Sequence, residues 1–219
     1  MLCINHVNKT LKDRKVLNDI CVTFERGKIY GLRGINGSGK TMLMRMAAGL
    51  IFPDSGSVSI DGKQLGKDLS FPEKMGVLIE NPAFLNAYTG RSNLELLNSL
   101  NEEAKPEDVE TALLRVGLDP EDRRKYRKYS LGMKQRLGIA AAIMGQPDLL
   151  LLDEPINALD EGGIDLFEQI IQQEKDRGAM ILVTCHDDER LRRWSDVIVE
   201  VVDGRIVSLK EAVGHNIEN

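Results

Sequence analysis

The chain of 219 residues has little that is aromatic (5%), a single tryptophan, three cysteines and no long apolar run. Its unbroken apolar stretches, such as Ile139-Ala140-Ala141-Ala142-Ile143-Met144, fall far below the roughly 18 residues of a membrane span. The start, Met1-Leu2-Cys3-Ile4-Asn5-His6, carries neither a basic segment nor a long apolar one, which argues against secretion and for the cytosol. Three cysteines, Cys3, Cys21 and Cys185, are odd in number and offer no disulfide framework or metal site. Each falls in a strand-like stretch, where a small buried hydrophobe is expected. Basic excess is absent too: a net charge of −5 and a pI near 5.4 argue against nucleic acid as the main partner. Internal repeats and low-complexity segments are missing as well.

What is present is ordinary for a globular protein, 42% hydrophobic and 29% charged, and predicts one unit over residues 1–219. Residues 2–32 alternate like half-buried strands, with Ile20, Val22 and Phe24 on one face. The stretch Lys28-Ile29-Tyr30-Gly31-Leu32 leads into Gly34-Ile35-Asn36-Gly37-Ser38-Gly39-Lys40-Thr41, which fits G-x-x-x-x-G-K-[ST], and a helix-like segment opens at Met42. Strand, loop and helix stand in the order that phosphate binding needs. The glycines turn successive N–H groups toward one anion, Lys40 reaches the terminal phosphates, and the Thr41 hydroxyl can hold Mg²⁺. This is a nucleoside triphosphate site.

Downstream, Ser57-Val58-Ser59-Ile60-Asp61-Gly62 reads as a hairpin, and a second Asp-Gly pair, Asp203-Gly204, predicts a closing one. From about residue 82 to 145 the pattern is helical, with Pro106 at a first turn and Gly117 after a last one. Leu149-Leu150-Leu151-Leu152 and Ala179-Met180-Ile181-Leu182-Val183 resemble central parallel strands, joined by a helix with an apolar stripe of Ile164, Phe167, Ile170 and Ile171. The fold class is therefore α/β: a phosphate-loop core on a mixed, largely parallel sheet, with an antiparallel β subdomain and an inserted helical subdomain.

Asp153 and Glu154 end the buried leucine strand, where open α/β sheets bind ligands. Asp153 can hold Mg²⁺, directly or through water, and Glu154 can act as general base on the water that attacks the γ-phosphate; a plain acidic strand end capping the next helix is the other reading. Ser130-Leu131-Gly132-Met133 opens a helix, either as an ordinary serine cap or as a second anion site. Arg123, Arg124, Lys125, Arg127 and Lys128 with Tyr126 and Tyr129 read as a solvated helix face before a nucleic-acid patch.

The serine–glycine helix start, the Asp153-Glu154-Pro155 strand end, Asn157-Ala158-Leu159-Asp160 and Thr184-Cys185-His186 follow in the order of an ATP-binding cassette domain, which the chain resembles over nearly its whole length. The resemblance implies that 34–41 is the Walker A loop, Asp153 and Glu154 the Walker B pair, Ser130 to Met133 the signature, His186 the switch histidine on the γ-phosphate, and Asp160 the aspartate connecting two subunits. It also implies ATP and Mg²⁺ as cofactors and a head-to-tail dimer, of identical chains or with a paralogue. A separately encoded membrane permease would hold that dimer on the inner face of the membrane. Glu80 stands where most cassettes place a glutamine touching Mg²⁺ and the attacking water. Together with Ser130-Leu131-Gly132-Met133-Lys134-Gln135-Arg136, it resembles the bacitracin-resistance and lantibiotic-immunity exporters. The aromatic that usually stacks on adenine falls near Leu11, which cannot stack.

Overall fold

The computed structural model describes residues 1–212 apart from Asn81 and Glu102. Asn81, in the strand-end stretch around Glu80, and the last seven residues of the unit expected over 1–219 therefore lie outside the described residues.

Two sheets form the frame. The antiparallel one has the order β2-β1-β4-β5, from β1 (Leu2–Leu11), β2 (Arg14–Phe24), β4 (Ser55–Ile60) and β5 (Lys63–Gln64). The other has the order β10-β9-β3-β8-β7-β6, built from β3 (Ile29–Arg33), β6 (Met75–Leu78), β7 (Leu149–Leu152), β8 (Met180–Thr184), β9 (Val197–Val202) and β10 (Arg205–Glu211). All its pairings are parallel except β9 with β10. The expected α/β class with one largely parallel sheet is what is found.

Strand periodicity explains how this sheet is covered on both sides. Side chains alternate between faces of a strand. In β7, Leu149 and Leu151 enter a cluster with β1, β2 and α1 (Lys40–Ala47), whereas Leu150 and Leu152 enter a second cluster with α4 (Leu131–Ile143) and α5 (Glu161–Asp176). A strand buried on both faces has no polar position, hence four leucines in a row. The predicted stripe of α5 is buried as read. Between β6 and β7 lie α2 (Gly90–Asn98), α3 (Pro106–Arg115) and α4, with Thr89 capping α2 and Pro106 opening α3. Helix α6 (Asp188–Trp194) follows β8.

Three two-residue turns close hairpins, at Lys12-Asp13, Asp61-Gly62 and Asp203-Gly204, each with both central φ values positive. That is the turn whose twist matches the flanking strands. Two readings need correction. Cys21 is exposed rather than a buried hydrophobe, because it points away from the side of β2 that buries Ile20 and Val22. The basic run 123–128 is a loop with one 3₁₀ turn rather than a helix face, pinned by the buried rings of Tyr126 and Tyr129.

The inserted helices approach the sheet closely at Gly76. A Cβ built there would sit 1.7 Å from the carbonyl oxygen of Ala142 and 2.8 Å from Leu150 Cδ2, so β6 and α4 meet backbone to backbone. At Gly162, on α5, nothing lies within 4 Å of an added Cβ. Gly76→Ala is expected to cost about 3 kcal/mol, the upper end for overpacking, lowering Tm by roughly 6–12 °C. Gly162→Ala should instead stabilise by about 0.5–1 kcal/mol. Thermal unfolding of both variants checks the pair, and equal Tm values would contradict the packing.

Candidate functional site

Strand β3 delivers the chain into the glycine-rich loop, and the loop delivers it into α1. Gly39 is the hinge. It precedes the first helical residue at φ +114, and a Cβ there would lie 2.9 Å from the carbonyl oxygen of Val16. Only glycine combines that conformation with that approach. Lys40 is buried and folds back on its own loop, donating from Nζ to the carbonyl oxygens of Gly34 at 2.6 Å and Ile35 at 3.1 Å. The Ser38 hydroxyl is buried without a partner among the described residues. A buried hydroxyl left unpaired is costly unless a ligand or water satisfies it. The loop borders a cavity of about 360 Å³ lined by Asn36, Gly37, Lys40, Thr41, Met42, Asp153, Glu154 and His186, among others. Ile35 faces outward.

The two acids at the end of β7 occupy different positions. Asp153 accepts from the Thr41 hydroxyl at 2.7 Å and from the Thr184 hydroxyl at 2.6 Å, so one carboxylate joins α1, β7 and β8. Thr184 also accepts from the Glu154 backbone N–H at 2.8 Å. Glu154 turns the chain with φ +49, an uncommon conformation for a side chain of its size, and its carboxylate is 17% exposed. It accepts from the His186 backbone N–H at 3.1 Å, and His186 Nε2 lies 3.5 Å from its other oxygen. Burial pushes the Glu154 carboxyl up, against the opposing pull of His186. A carboxylate raised in this way accepts a proton more readily than an exposed one. Gln135 on α4 donates to the carbonyl of Pro155 at 2.8 Å, bracing the strand end from behind.

As a fit to Mg²⁺, the Thr41 hydroxyl and the Asp153 carboxylate already touch and open on the cavity. An ion that keeps several waters and takes one or two protein oxygens plus phosphates needs no more than that. Glu80 is not brought to this pair. It is 65% exposed and its carboxylate is held by Arg45 of α1, in a backbone turn with φ +63. In this conformation its ion-pair partner is Arg45 on α1.

Ser130 caps α4, accepting from the Met133 backbone N–H at 3.2 Å, while Leu131 stands exposed on the first turn. Ser130, Gly132 and Met133 line a separate cavity of about 510 Å³ with Arg136 and Asp160, which shares no lining residue with the phosphate-loop cavity. Asp160 caps α5 by accepting from Gly163 N–H at 3.0 Å and pairs with Arg136 at 2.9 Å; the guanidinium holds its carboxyl below the usual range. Sequence reading did not single out Arg14, Arg45 or the linking role of Thr184. An arginine beside the Lys-Asp turn was the only available signal for the first.

A protein-family model described as ABC transporter matches residues 17–157. An uncharacterized ABC transporter ATP-binding protein of Bacillus subtilis (strain 168), YybJ, is 45% identical over 213 residues, covering 97% of this chain and 98% of its own. The bacitracin transport ATP-binding protein BcrA of Enterococcus faecalis is 40% identical, with 92% of this chain and 66% of that one covered. The lantibiotic transport ATP-binding protein SrtF of Streptococcus pyogenes is 34% identical, over 98% and 92% respectively. A solved ATP-binding subunit of an ABC transporter superposes with a TM-score of 0.87 at 25% identity, covering 96% of this chain and 90% of that one. A dimeric ATP-binding cassette bound to ADP and Pi has the same fold, with a TM-score of 0.89 at 23% identity over 98% and 100% of the two chains.

The threonine that joins both acids gives a direct test. Thr184 is fully buried, and Thr184→Val keeps its shape while stripping partners from Asp153 Oδ1 and Glu154 N–H. The expected cost is about 1–3 kcal/mol for each group left unpaired, together with weaker Mg²⁺ dependence of turnover. Thr184→Ser should stay close to the parent. Thermal unfolding and Mg²⁺ titration of the ATPase rate check this; a valine variant matching the serine one on both counts would contradict it.

Proposed function

The chain belongs to the ABC transporter family as an ATP-binding, ATP-hydrolysing subunit, and from that premise we propose that two copies, or one copy and a paralogue, drive export through a separate membrane permease. The observation that carries the reading is a single cavity in which the phosphate loop, the Thr41–Asp153 pair, Glu154 and His186 converge. Loop amides and Lys40 bind the polyphosphate. Bound Mg²⁺, held by Thr41 and Asp153, would supply charge neutralisation on the β- and γ-phosphates. Glu154 takes the proton of the attacking water, and His186, beside it, orients the γ-phosphate end.

Ser130, Leu131, Gly132 and Met133 serve the partner copy's phosphates in this reading. Support comes from the two separate cavities: within one chain the capped start of α4 and the phosphate loop share no wall. Asp160, at the edge of the second cavity, is the natural link between sites across the dimer, and its present bond to Arg136 would be exchanged there. Glu80 would reach the metal only after leaving Arg45. The permease carries the spans, since among the described residues no helix is long and apolar enough to cross a membrane. Peptide antibiotics of the bacitracin or lantibiotic kind are the proposed cargo, from the relatives at 40% and 34% identity. The assembly would sit on the cytoplasmic face of the membrane.

Two measurements test the mechanism. Glu154→Gln is expected to keep ATP binding and lose about 10²–10⁴ in turnover, the usual worth of a general base; a parental hydrolysis rate would remove Glu154 from that role. For composite sites, Lys40→Ala and Ser130→Arg chains should each be nearly inactive, having lost contacts worth about 10² or more. Mixing them should restore partial activity, because one site in each heterodimer is then built from two intact halves. A flat rate across mixing ratios, with subunit exchange confirmed, counts against composite sites.

A further inference from the structure

The wall of the nucleotide cavity facing the phosphate loop is formed by Leu11, Arg14 and Val16, and among the described residues no phenylalanine, tyrosine or tryptophan lines the cavity; its one ring, the imidazole of His186, lies beside Glu154. Leu11 and Arg14 are direct partners across the β1–β2 hairpin, flanking the tight Lys12-Asp13 turn. Directly opposed residues project on the same face of a sheet, so the two side chains form one platform. That platform is fixed in place by backbone. The Val16 carbonyl packs against Gly39 and Gly204, and Asn18 N–H donates to Gly204 O at 2.8 Å while Gly204 N–H donates to Ser38 O at 2.7 Å. The Arg14 guanidinium reaches to 3.9 Å from the Cβ position of Gly37, in the middle of the phosphate loop. Arg14 is exposed and forms no ion pair among the described residues, although its neighbour Asp13 is a carboxylate. Its charge is therefore directed at the loop without an internal counter-ion.

We propose that Arg14 is a polyphosphate ligand, a second cation beside Lys40, and that Leu11 gives the base only an aliphatic seat, so that the site binds purine nucleotides with little regard to the base. The inference rests on the nucleotide-site reading above and adds to it where binding strength resides. A guanidinium offers several donors in a planar fork and makes strong charge-assisted bonds to phosphate oxygens. A leucine offers apolar contact and no ring for stacking, and a ring would contribute about 1–3 kcal/mol for one base, a factor of roughly 5–150 in affinity. Neither side chain reads the exocyclic groups that distinguish adenine from guanine. The polyphosphate, identical in both nucleotides, carries the recognition.

The test is equilibrium binding of ADP, GDP and pyrophosphate, each with Mg²⁺, to the full chain. Diphosphates avoid turnover and do not require the second copy. The Kd values of ADP and GDP should agree within about 5-fold, because no contact separates the bases. Arg14→Ala should weaken ADP, GDP and pyrophosphate alike by about 10-fold or more, the worth of a charge-assisted bond, and Arg14→Lys should recover part of the loss. Leu11→Tyr should tighten both nucleotides about 5-fold or more and leave pyrophosphate unchanged. An ADP preference beyond about 5-fold, or pyrophosphate binding indifferent to Arg14→Ala, overturns the proposal. Lys40→Ala separates this from the site reading itself. If it abolishes binding while Arg14→Ala does nothing, the phosphate loop stands and Arg14 falls; if Lys40→Ala binds like the parent, the loop assignment fails first. Both Arg14 variants change an exposed side chain, and unchanged Tm values would exclude misfolding as the cause of a loss.

Discussion

Two short hydrogen bonds on one carboxylate organise the molecule. Asp153 holds Thr41 at the start of α1 and Thr184 at the end of β8, while its own N–H donates to the carbonyl of Leu78 at the end of β6 at 2.7 Å. Four elements far apart in sequence are registered by one residue. An unpaired carboxylate at a buried strand end is costly to desolvate, so the polar groups gathered there satisfy each other. Thr184, fully buried, holds both acids, donating to Asp153 and accepting from the Glu154 N–H.

Packing supplies the rest of the rigidity. Helix α1 lies within a cluster that includes residues of both sheets, through Leu43, Met44 and Met46, so the phosphate loop is carried by a helix buried on its core side. On the other face, Glu174 of α5 is almost wholly buried and answers Arg115 of α3 at 2.6 Å and Arg177 at 2.5 Å. A carboxylate paired with two guanidinium groups in that setting ties the inserted helices to α5; removing either arginine leaves its charge less compensated. The inserted helices are thus joined to the core by an ionic clasp and by the close approach at Gly76, two contacts of different chemistry.

Much of this was legible in the chain because the relevant signals are local. Four consecutive leucines, followed at once by Asp-Glu-Pro, read as a strand covered on both faces, and Asp-Gly twice named its hairpins. The third hairpin escaped notice because Lys12 and Asp13 adopt positive φ without a glycine, and with it went the Leu11–Arg14 pair that the turn sets side by side. At Glu80 the sequence is silent on the partner: its side chain answers Arg45, a cation thirty-five residues away that no spacing rule connects to it. Cys21 was misjudged by one position of alternation. Convergence of distant residues, such as Thr184 on Asp153, follows from strand order, and strand order is decided by which neighbours β3 and β7 accept in three dimensions rather than by any stretch of sequence.

The turn at Asp203-Gly204 reaches back to the phosphate loop. Gly204 bonds both to Ser38 in the phosphate loop and to Asn18 in β2, and β9, which precedes the turn, flanks β3 in the sheet. The loop near the beginning of the chain is therefore shaped by residues near its end. Closure of the β9–β10 hairpin and the shape of the loop are thereby coupled, and a change that loosens the turn at Gly204 loosens the support of Ser38.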